Sequence, residues 1–424
     1  MAMNTNETWV AKQLQGGYPP LTVHSKTVID STREKVYIYG GWILGDEGEM
    51  PTPNFHVFDA RTMTFTDLTK SLTYVAPGKP ASKAMRNRKC RSLPSRSQAG
   101  LAFLEIRGQP MIFIFGGHDV GNPEGPSSTL IAINMELREW YIVEIEKNDF
   151  EAPAPRVRPT LVGVNEKLYI FGGIQKFSDP WVHHRTYSII EFQPSSRKWK
   201  WVAVDVPYPA TVPAGKVFGH GIPVYGGLMI LLLPGKKQYK PRIQYEKDCF
   251  FYFLTKNNTF LQANVKGIPP KSIHWDFAFN YDPTLSAPTG LLPYGSPQKV
   301  PSVFICTWLY HRNRNLAPEL WEYTLFPKDT FNKLGISNRI YKFRMDFQLF
   351  SLIGNRAFIM GWGNQTKSKP SRSVEDKKIK VEEGSMEDED ESTEDEEDTE
   401  QEPMCDTFVE IPVQTLLLKA EPED

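Results

Sequence analysis

One short stretch limits what this chain can fold into: KLYIFGG, residues 167–173, together with its copies. KVYIYGG occupies 35–41 and PMIFIFGG occupies 110–117; weaker copies are LMILLLPG (228–235), SVFICTW (302–308) and AFIMGWG (357–363). Apolar residues at successive positions suit a strand buried on both faces. The closing pairs, Gly40 with Gly41, Gly116 with Gly117 and Gly172 with Gly173, let the backbone leave the strand through positive φ, where a Cβ would clash. Around 167–173 the unit is complete: PRVRPTLVGV (155–164) precedes it, TYSIIEF (186–192) follows, and then comes Trp199. Four short apolar segments in order predict one four-stranded sheet, with Trp199 offering a flat surface to a neighbouring sheet. A single sheet of this kind cannot bury two apolar faces, so copies must stack radially.

The unit resembles a kelch repeat, and the chain is similar to the kelch β-propeller family over roughly 1–364 and 405–411, specifically in the first three copies and in degraded form in the last three. The resemblance implies an all-β propeller of six four-stranded blades. Blade one runs through TVHSKTVI (22–29), KVYIYGG, FHVFDA (55–60) and FTDL (65–68), with Phe65 at the Trp position. A polar link, 69–96, leads to SQAGLAFL (97–104), PMIFIFGG, TLIAIN (129–134) and EWYIV (139–143), which carries Trp140. Blade four has GKVFGHGI (215–222), LMILLLPG, DCFFYFL (248–254) and NTFLQA (258–263). Blade five has DFAFNY (276–281), SVFICTW, LWEYTL (320–325) and a weak last strand near FNKLGI (331–336). Seven blades is the rival count, because the 76-residue step from Gly41 to Gly117 could hold a further small sheet; its polar, Lys/Arg-rich filling argues against one.

Blade six has MDFQLFSL (345–352) and AFIMGWG, then lacks its last two strands, while TWVAKQL (8–14) has a fourth strand's Trp9 and no blade before it. If CDTFVEI (405–411) is the third strand and 8–14 the fourth, the two chain ends close the ring. The expected layout is therefore a propeller body over 1–364, an acidic insertion over 365–404, a returning strand at 405–411 and a tail at 412–424. The stretch 367–402 is charged and almost free of aromatics, so it cannot bury enough surface to offset chain entropy and is expected to be disordered.

The net charge of −1 hides an asymmetry: residues 365–424 hold 21 Asp+Glu and 7 Lys+Arg, leaving 29 acids against 42 bases in the rest. The start, MAMNTNETWVAKQLQ, shows no apolar leader run, and GLMILLL (227–233) is too short to span a bilayer. Cys90, Cys249, Cys306 and Cys405 form no CxxC pair, so neither a zinc site nor a disulfide framework is signalled. A monomer of the cytoplasm or nucleus is expected.

Secreted copper oxidases and iron-dependent specifier proteins also use kelch folds, so an enzyme is a second reading. His24, His56, His118, His183, His184, His220, His274 and His311 are dispersed over five blades, and the iron-type E-x3-D-x3-D spacing is absent from 1–364. GGHD (116–119) reads as a polar loop, and His183 and His184, being adjacent, would face opposite sides of a strand. His220 is expected to bond a neighbouring blade's backbone. Arg156 matches the arginine that often precedes a kelch first strand; a structural and a ligand-binding role both stay open. No Ser-His-Asp or phosphate-cradling pattern is recognisable, so no catalytic residue, metal or cofactor is expected.

Strand direction alternates, so second-to-third-strand loops and blade-to-blade links leave by one end of the propeller. That end receives Lys83, Arg86, Arg88, Lys89 and Arg91 from the first link, Lys236, Lys237, Lys240 and Arg242 from blade four, and Arg312 and Arg314 from blade five. Trp42, Trp181, Tyr239, Tyr245 and Tyr310 are interleaved with them. These are either ordinary solvated loops or one binding face. The resemblance favours the latter, since this end commonly binds peptides in kelch propellers. The expectation is a non-catalytic interaction scaffold for an acidic segment of a partner protein, with nucleic-acid or polyanion binding as the alternative. Ser385, Ser392, Thr393 and Thr399 resemble acidophilic-kinase sites, and Lys380 and Lys419 resemble hydrophobic-Lys-x-Glu modification sites.

Overall fold

The computed structural model describes residues 10–11, 22–23, 25–45, 48–76, 92–119, 125–176, 182–213, 218–234, 243–244, 247–269, 271–272, 274–281, 302–308, 318–334, 345–353, 356–363 and 407–412. The fold is all-β, with three short 3-10 turns, and the sheets are arranged as a β-propeller.

Six antiparallel units follow one another. Sheet one contains Lys26–Asp30, Lys35–Tyr39, Phe55–Asp59 and Thr64–Asp67. Sheet two contains Gly100–Ile106, Gln109–Phe115, Leu130–Asn134 and Glu139–Ile142. Sheet three contains Thr160–Val164, Lys167–Phe171, Thr186–Gln193 and Lys198–Pro207. Sheet four contains Phe218–Val224, Met229–Pro234, Phe251–Leu254 and Thr259–Gln262. Sheet five contains His274–Tyr281, Ser302–Trp308, Pro318–Thr324 and Thr330–Leu334, so the weak last strand is present. Sheet six contains Met345–Ile353, Arg356–Gly363, Thr407–Pro412 and Val10–Ala11. In sheet six Val10 lies opposite Glu410 and Ala11 opposite Val409, so the two ends of the chain share a sheet. The propeller is recognised with five blades, one fewer than expected, although six sheets of four or more strands are present.

Packing explains the repeated apolar strand. Successive residues of each second strand point to opposite neighbours. Met111, Phe113 and Phe115 meet Leu168, Ile170 and Trp199 of sheet three, whereas Ile112 and Ile114 meet Tyr37, Tyr39 and Phe55 of sheet one. Tyr169 and Phe171 meet Ile230, Leu232 and Phe253 of sheet four. Leu231 and Leu233 meet Val303, Tyr323 and Phe331 of sheet five. Phe358 of sheet six packs edge-on against Phe58 of sheet one, ring centroids 5.3 Å apart. Fourth-strand aromatics fill the remaining volume: Trp199 lies 5.0 Å from Phe113 of the preceding sheet, and Trp140 is fully buried.

Three expectations need correction. The segment 22–29 is not one strand: Thr22–Val23 joins Trp42–Gly45 and Gly48–Pro51 in a separate small sheet, and the blade strand begins at Lys26. GGHD is not a plain loop, because His118–Asp119 pairs with Arg96–Ser97. The polar link after blade one is not strandless either. Thr73–Tyr74 runs parallel to Glu139–Trp140, with Thr73 N donating to Arg138 O at 2.9 Å and Val75 N to Trp140 O at 2.9 Å. Each correction has the same cause: backbone groups at sheet edges find partners wherever the chain passes close by.

Candidate functional site

The diglycines fix how consecutive sheets are joined at one end of the molecule. Gly40 and Gly116 have φ of +64° and +71°, and a Cβ on them would stand 2.0 Å from Arg96 O and 2.4 Å from Arg156 O. Only a residue without a side chain allows that approach. The neighbouring amides use the closeness: Gly41 N donates to Arg96 O at 3.3 Å and Gly117 N to Arg156 O at 2.9 Å. Each diglycine is thereby fastened to the segment that enters the next sheet.

Arg96 and Arg156 sit four residues before their first strands, at Gly100 and Thr160. Both side chains are buried. Arg96 Nη1 donates to Gly116 O and Thr129 O, each at 3.2 Å. Arg156 Nη1 donates to Gly172 O at 3.0 Å, Nε donates to Ala154 O at 2.9 Å, and Nη2 reaches Asp205 Oδ1. The guanidinium of one sheet thus caps the carbonyls at its own diglycine while its backbone carbonyl caps the diglycine before it. The open alternative for Arg156 resolves to the structural role. Neither Arg96 nor Asp205 stands out in sequence; the shared four-residue offset of SRSQAG and PRVRPT is the signal that finds Arg96.

Asp205 takes up four hydrogen bonds besides the ion pair or through its own amide: from Ala154 N at 2.9 Å, Thr186 Oγ1 at 3.1 Å and Ser188 Oγ at 3.4 Å, with Asp205 N donating to Ser188 Oγ at 2.9 Å. Burial works against its ionisation, yet the Ala154 amide and the Arg156 charge prevail and hold its carboxyl below the usual carboxylate range. Next to this latch, His184 N donates to Gly173 O at 2.9 Å, and its Nε2 lies 3.3 Å from Pro155 O. Burial first, then the Arg156 charge, push the His184 imidazole down; burial alone does the same to His183.

After the second strand of each of sheets one to four the chain forms a short paired stem. Trp42–Gly45 pairs with Gly48–Pro51, His118–Asp119 with Arg96–Ser97, Ile174–Lys176 with Val182–His183, and Ile243–Gln244 with Lys271–Ser272. Residues that lead into the first strands take unusual backbone angles. Gln98 and Arg158 hold positive φ of 55° and 53°, and Arg158 Nε donates to Gln98 Oε1 at 2.9 Å. His220, on the first strand of sheet four, is pushed well down, by burial foremost and then by the positive charge of Lys26 from sheet one. Thr160 Oγ1 supplies a bond between sheets three and four, donating to Phe218 O at 3.0 Å.

Of the expected partner-binding residues, the backbone of Trp42 is placed, opposite Val23 and Pro51. Arg86, Arg88, Lys89, Arg91, Trp181, Lys236, Lys237, Tyr239, Lys240, Arg242, Tyr310, Arg312 and Arg314 lie outside the described residues, as do Trp9, Lys380, Ser385, Ser392 and Thr393. Ile174–Lys176, Val182–His183 and Ile243–Gln244 stand beside several of them in sequence, which puts described stems next to the basic and aromatic stretches. The described part of this end offers fixed backbone stems and the imidazoles of His183 and His184, both pushed down chiefly by burial. Among known proteins, no family model matches this chain, and no curated relative matches it.

Proposed function

We propose that this chain is a kelch-type propeller of six blades, closed by its own two ends, that works inside the cell as a non-catalytic scaffold. It holds an acidic segment of a partner protein at the diglycine end. The observation that carries this reading is the set of four short strand pairs at that end, two of which, at Arg96–Ser97 and Ile243–Gln244, adjoin in sequence the Lys/Arg-rich stretches 83–91 and 236–242. Six blades are supported by interlocking cores between sheets one to five and by Phe358 against Phe58 between sheets six and one. The acidic insertion competes for the same basic loops. A flexible stretch of about 28 residues reaches roughly 30 Å, and its tethering gives an effective concentration on the order of millimolar.

The test is affinity purification from native extract, with and without nuclease, using the intact chain and a Lys236→Glu/Lys237→Glu/Lys240→Glu/Arg242→Glu variant. A protein partner kept after nuclease and lost from the variant is the expected result. Recovery that vanishes with nuclease would transfer the basic face to nucleic-acid binding. Stoichiometric copper or iron in the purified protein would overturn the non-catalytic reading.

A further inference from the structure

The outer edges of the sheets are treated unequally. In sheet two, Thr73–Tyr74 covers the fourth strand, with the Tyr74 ring tilted against Trp140, centroids 4.7 Å apart. In sheet three, Ile145 bridges in parallel to Trp199; Glu146 N donates to Trp199 O at 2.7 Å and Trp199 N to Glu144 O at 3.1 Å. In sheet five, Lys266 bridges in parallel to Thr330; Lys266 N donates to Asp329 O at 2.7 Å and Phe331 N to Lys266 O at 3.2 Å. One rule describes all three: the incoming link lies parallel to the fourth strand and bonds main-chain groups of the aromatic or of the residue two before it.

Sheet four has the same local geometry and no such cover. Asn258, with φ of 55°, corresponds to Arg138 (53°), Arg197 (58°) and Asp329 (50°), and Phe260 corresponds to Trp140, Trp199 and Phe331. Among the described residues nothing hydrogen-bonds the outer edge of Thr259–Gln262. The link from sheet three instead passes over Phe260 by side-chain packing, Tyr208 lying 5.2 Å from it. Thr259, Leu261 and Gln262 are exposed, and an open edge of this kind is a template for another strand.

We propose that the outer edge of sheet four binds an extended segment of another protein by strand addition, parallel to Thr259–Gln262. The occupant's chemistry follows from the covered sheets and from local charge. It places an apolar residue opposite Phe260, as Tyr74 and Ile145 stand opposite Trp140 and Trp199. It carries acids at both ends, because exposed Lys256 lies in the turn before this strand and exposed Lys247 precedes the partner strand at its far end. Main-chain bonds supply affinity and the alternate side chains supply selection. This surface is distinct from the diglycine end and does not depend on what binds there.

The experiment uses the full chain and a labelled eight-residue probe with two acids, four alternating valines and threonines, and two acids. A second probe is N-methylated on the amides that would face the strand. The expected result is saturable binding of the first probe, at least tenfold weaker binding of the second, and at least fivefold weaker binding of the first probe to Lys247→Glu/Lys256→Glu. Hydrogen exchange should show the outward amides of Phe260 and Gln262 unprotected in the free protein and slowed with the probe. No binding, equal binding of both probes, or protection elsewhere overturns the proposal. Amides of Phe260 and Gln262 already protected without probe also overturn it, since the chain itself or a second copy would then cover the edge.

Discussion

Sheets one to three and sheets four and five join their neighbours by different chemistry. In the first region the joint is a diglycine closing on the carbonyl of Arg96 or Arg156, and the arginine returns the contact through its guanidinium. In the second region a buried carboxylate does the joining. Asp329 of sheet five accepts from Tyr252 Oη of sheet four at 2.7 Å, from its own sheet's Tyr323 Oη at 2.9 Å, and from Asn264 N of the link at 3.2 Å. Tyr252 Oη in turn accepts from Phe326 N at 2.9 Å. The lesson is that the propeller specifies a packing distance between sheets and leaves the polar chemistry of the joint free.

The harshest way to break the first kind of joint is Gly40→Ala. Its Cβ would meet Arg96 O at 2.0 Å, in a backbone conformation that disfavours any side chain. Overpacking of about 1–3 kcal/mol and a left-handed cost of about 1–2 kcal/mol together predict roughly 2–5 kcal/mol of lost stability in chemical denaturation. Gly226→Ala, at φ of +64° but with open space around it, should cost only the smaller, conformational part.

Arg156→Leu comes next. It strands Asp205 and the Gly172 carbonyl, and breaking a buried pair costs about 3–5 kcal/mol, reduced here because Asp205 is part-exposed. Adding Asp205→Leu should recover part of the loss, whereas Asp329→Asn, in the other joint, should add its effect independently. In that second joint, Tyr252→Phe removes both a donor to Asp329 and the acceptor for Phe326 N, for about 1–3 kcal/mol.

The smallest effects are those of pH: the depressed carboxylate and the depressed histidines both lose stability toward acid, in different pH ranges. The Asp205 pKa is lower folded than unfolded, so its contribution is present above the unfolded value of about 3.9 and is lost as pH falls through the folded value. Asp205→Asn should flatten that acid limb. His56, His184 and His220 are also held low, by burial foremost, so the unfolded chain takes protons first. Stability should therefore decline as pH drops from 7 through the unfolded histidine value of about 6.5. Thermal unfolding of the wild type and His220→Asn between pH 7 and 5 measures it.

The same contrast explains what was legible in the sequence. A diglycine and its strand lie within seven residues, so the first joints announce themselves at positions 35–41, 110–117 and 167–173. The Asp329 joint gathers residues 74 and 77 positions apart in sequence with a link amide, and no local pattern marks it. Apolar strands were readable even where the glycines are replaced, because SVFICTW and AFIMGWG keep a run of apolar residues. Short stems and the covered outer edges were not readable. Two-residue pairs such as Arg96–Ser97 with His118–Asp119 carry no periodicity, and main-chain bonds leave no side-chain signature. The basic loops expected to form the binding face remain a reading of composition.

The measurement that tests the architecture most directly is a cross-link between the two ends of the chain. In a background with the four native cysteines replaced by serine, Val10→Cys/Glu410→Cys and Ala11→Cys/Val409→Cys place thiols on paired residues of sheet six. Antiparallel neighbours lie within the roughly 4.4–6.8 Å Cα separation that a disulfide spans. At least one pair should oxidise rapidly to an intramolecular bond, seen as a two-proton mass loss and faster gel migration, and should raise the melting temperature. The off-register pair Val10→Cys/Ile353→Cys should not. Failure of both in-register pairs to close, in a folded protein, would contradict a propeller joined by its own ends.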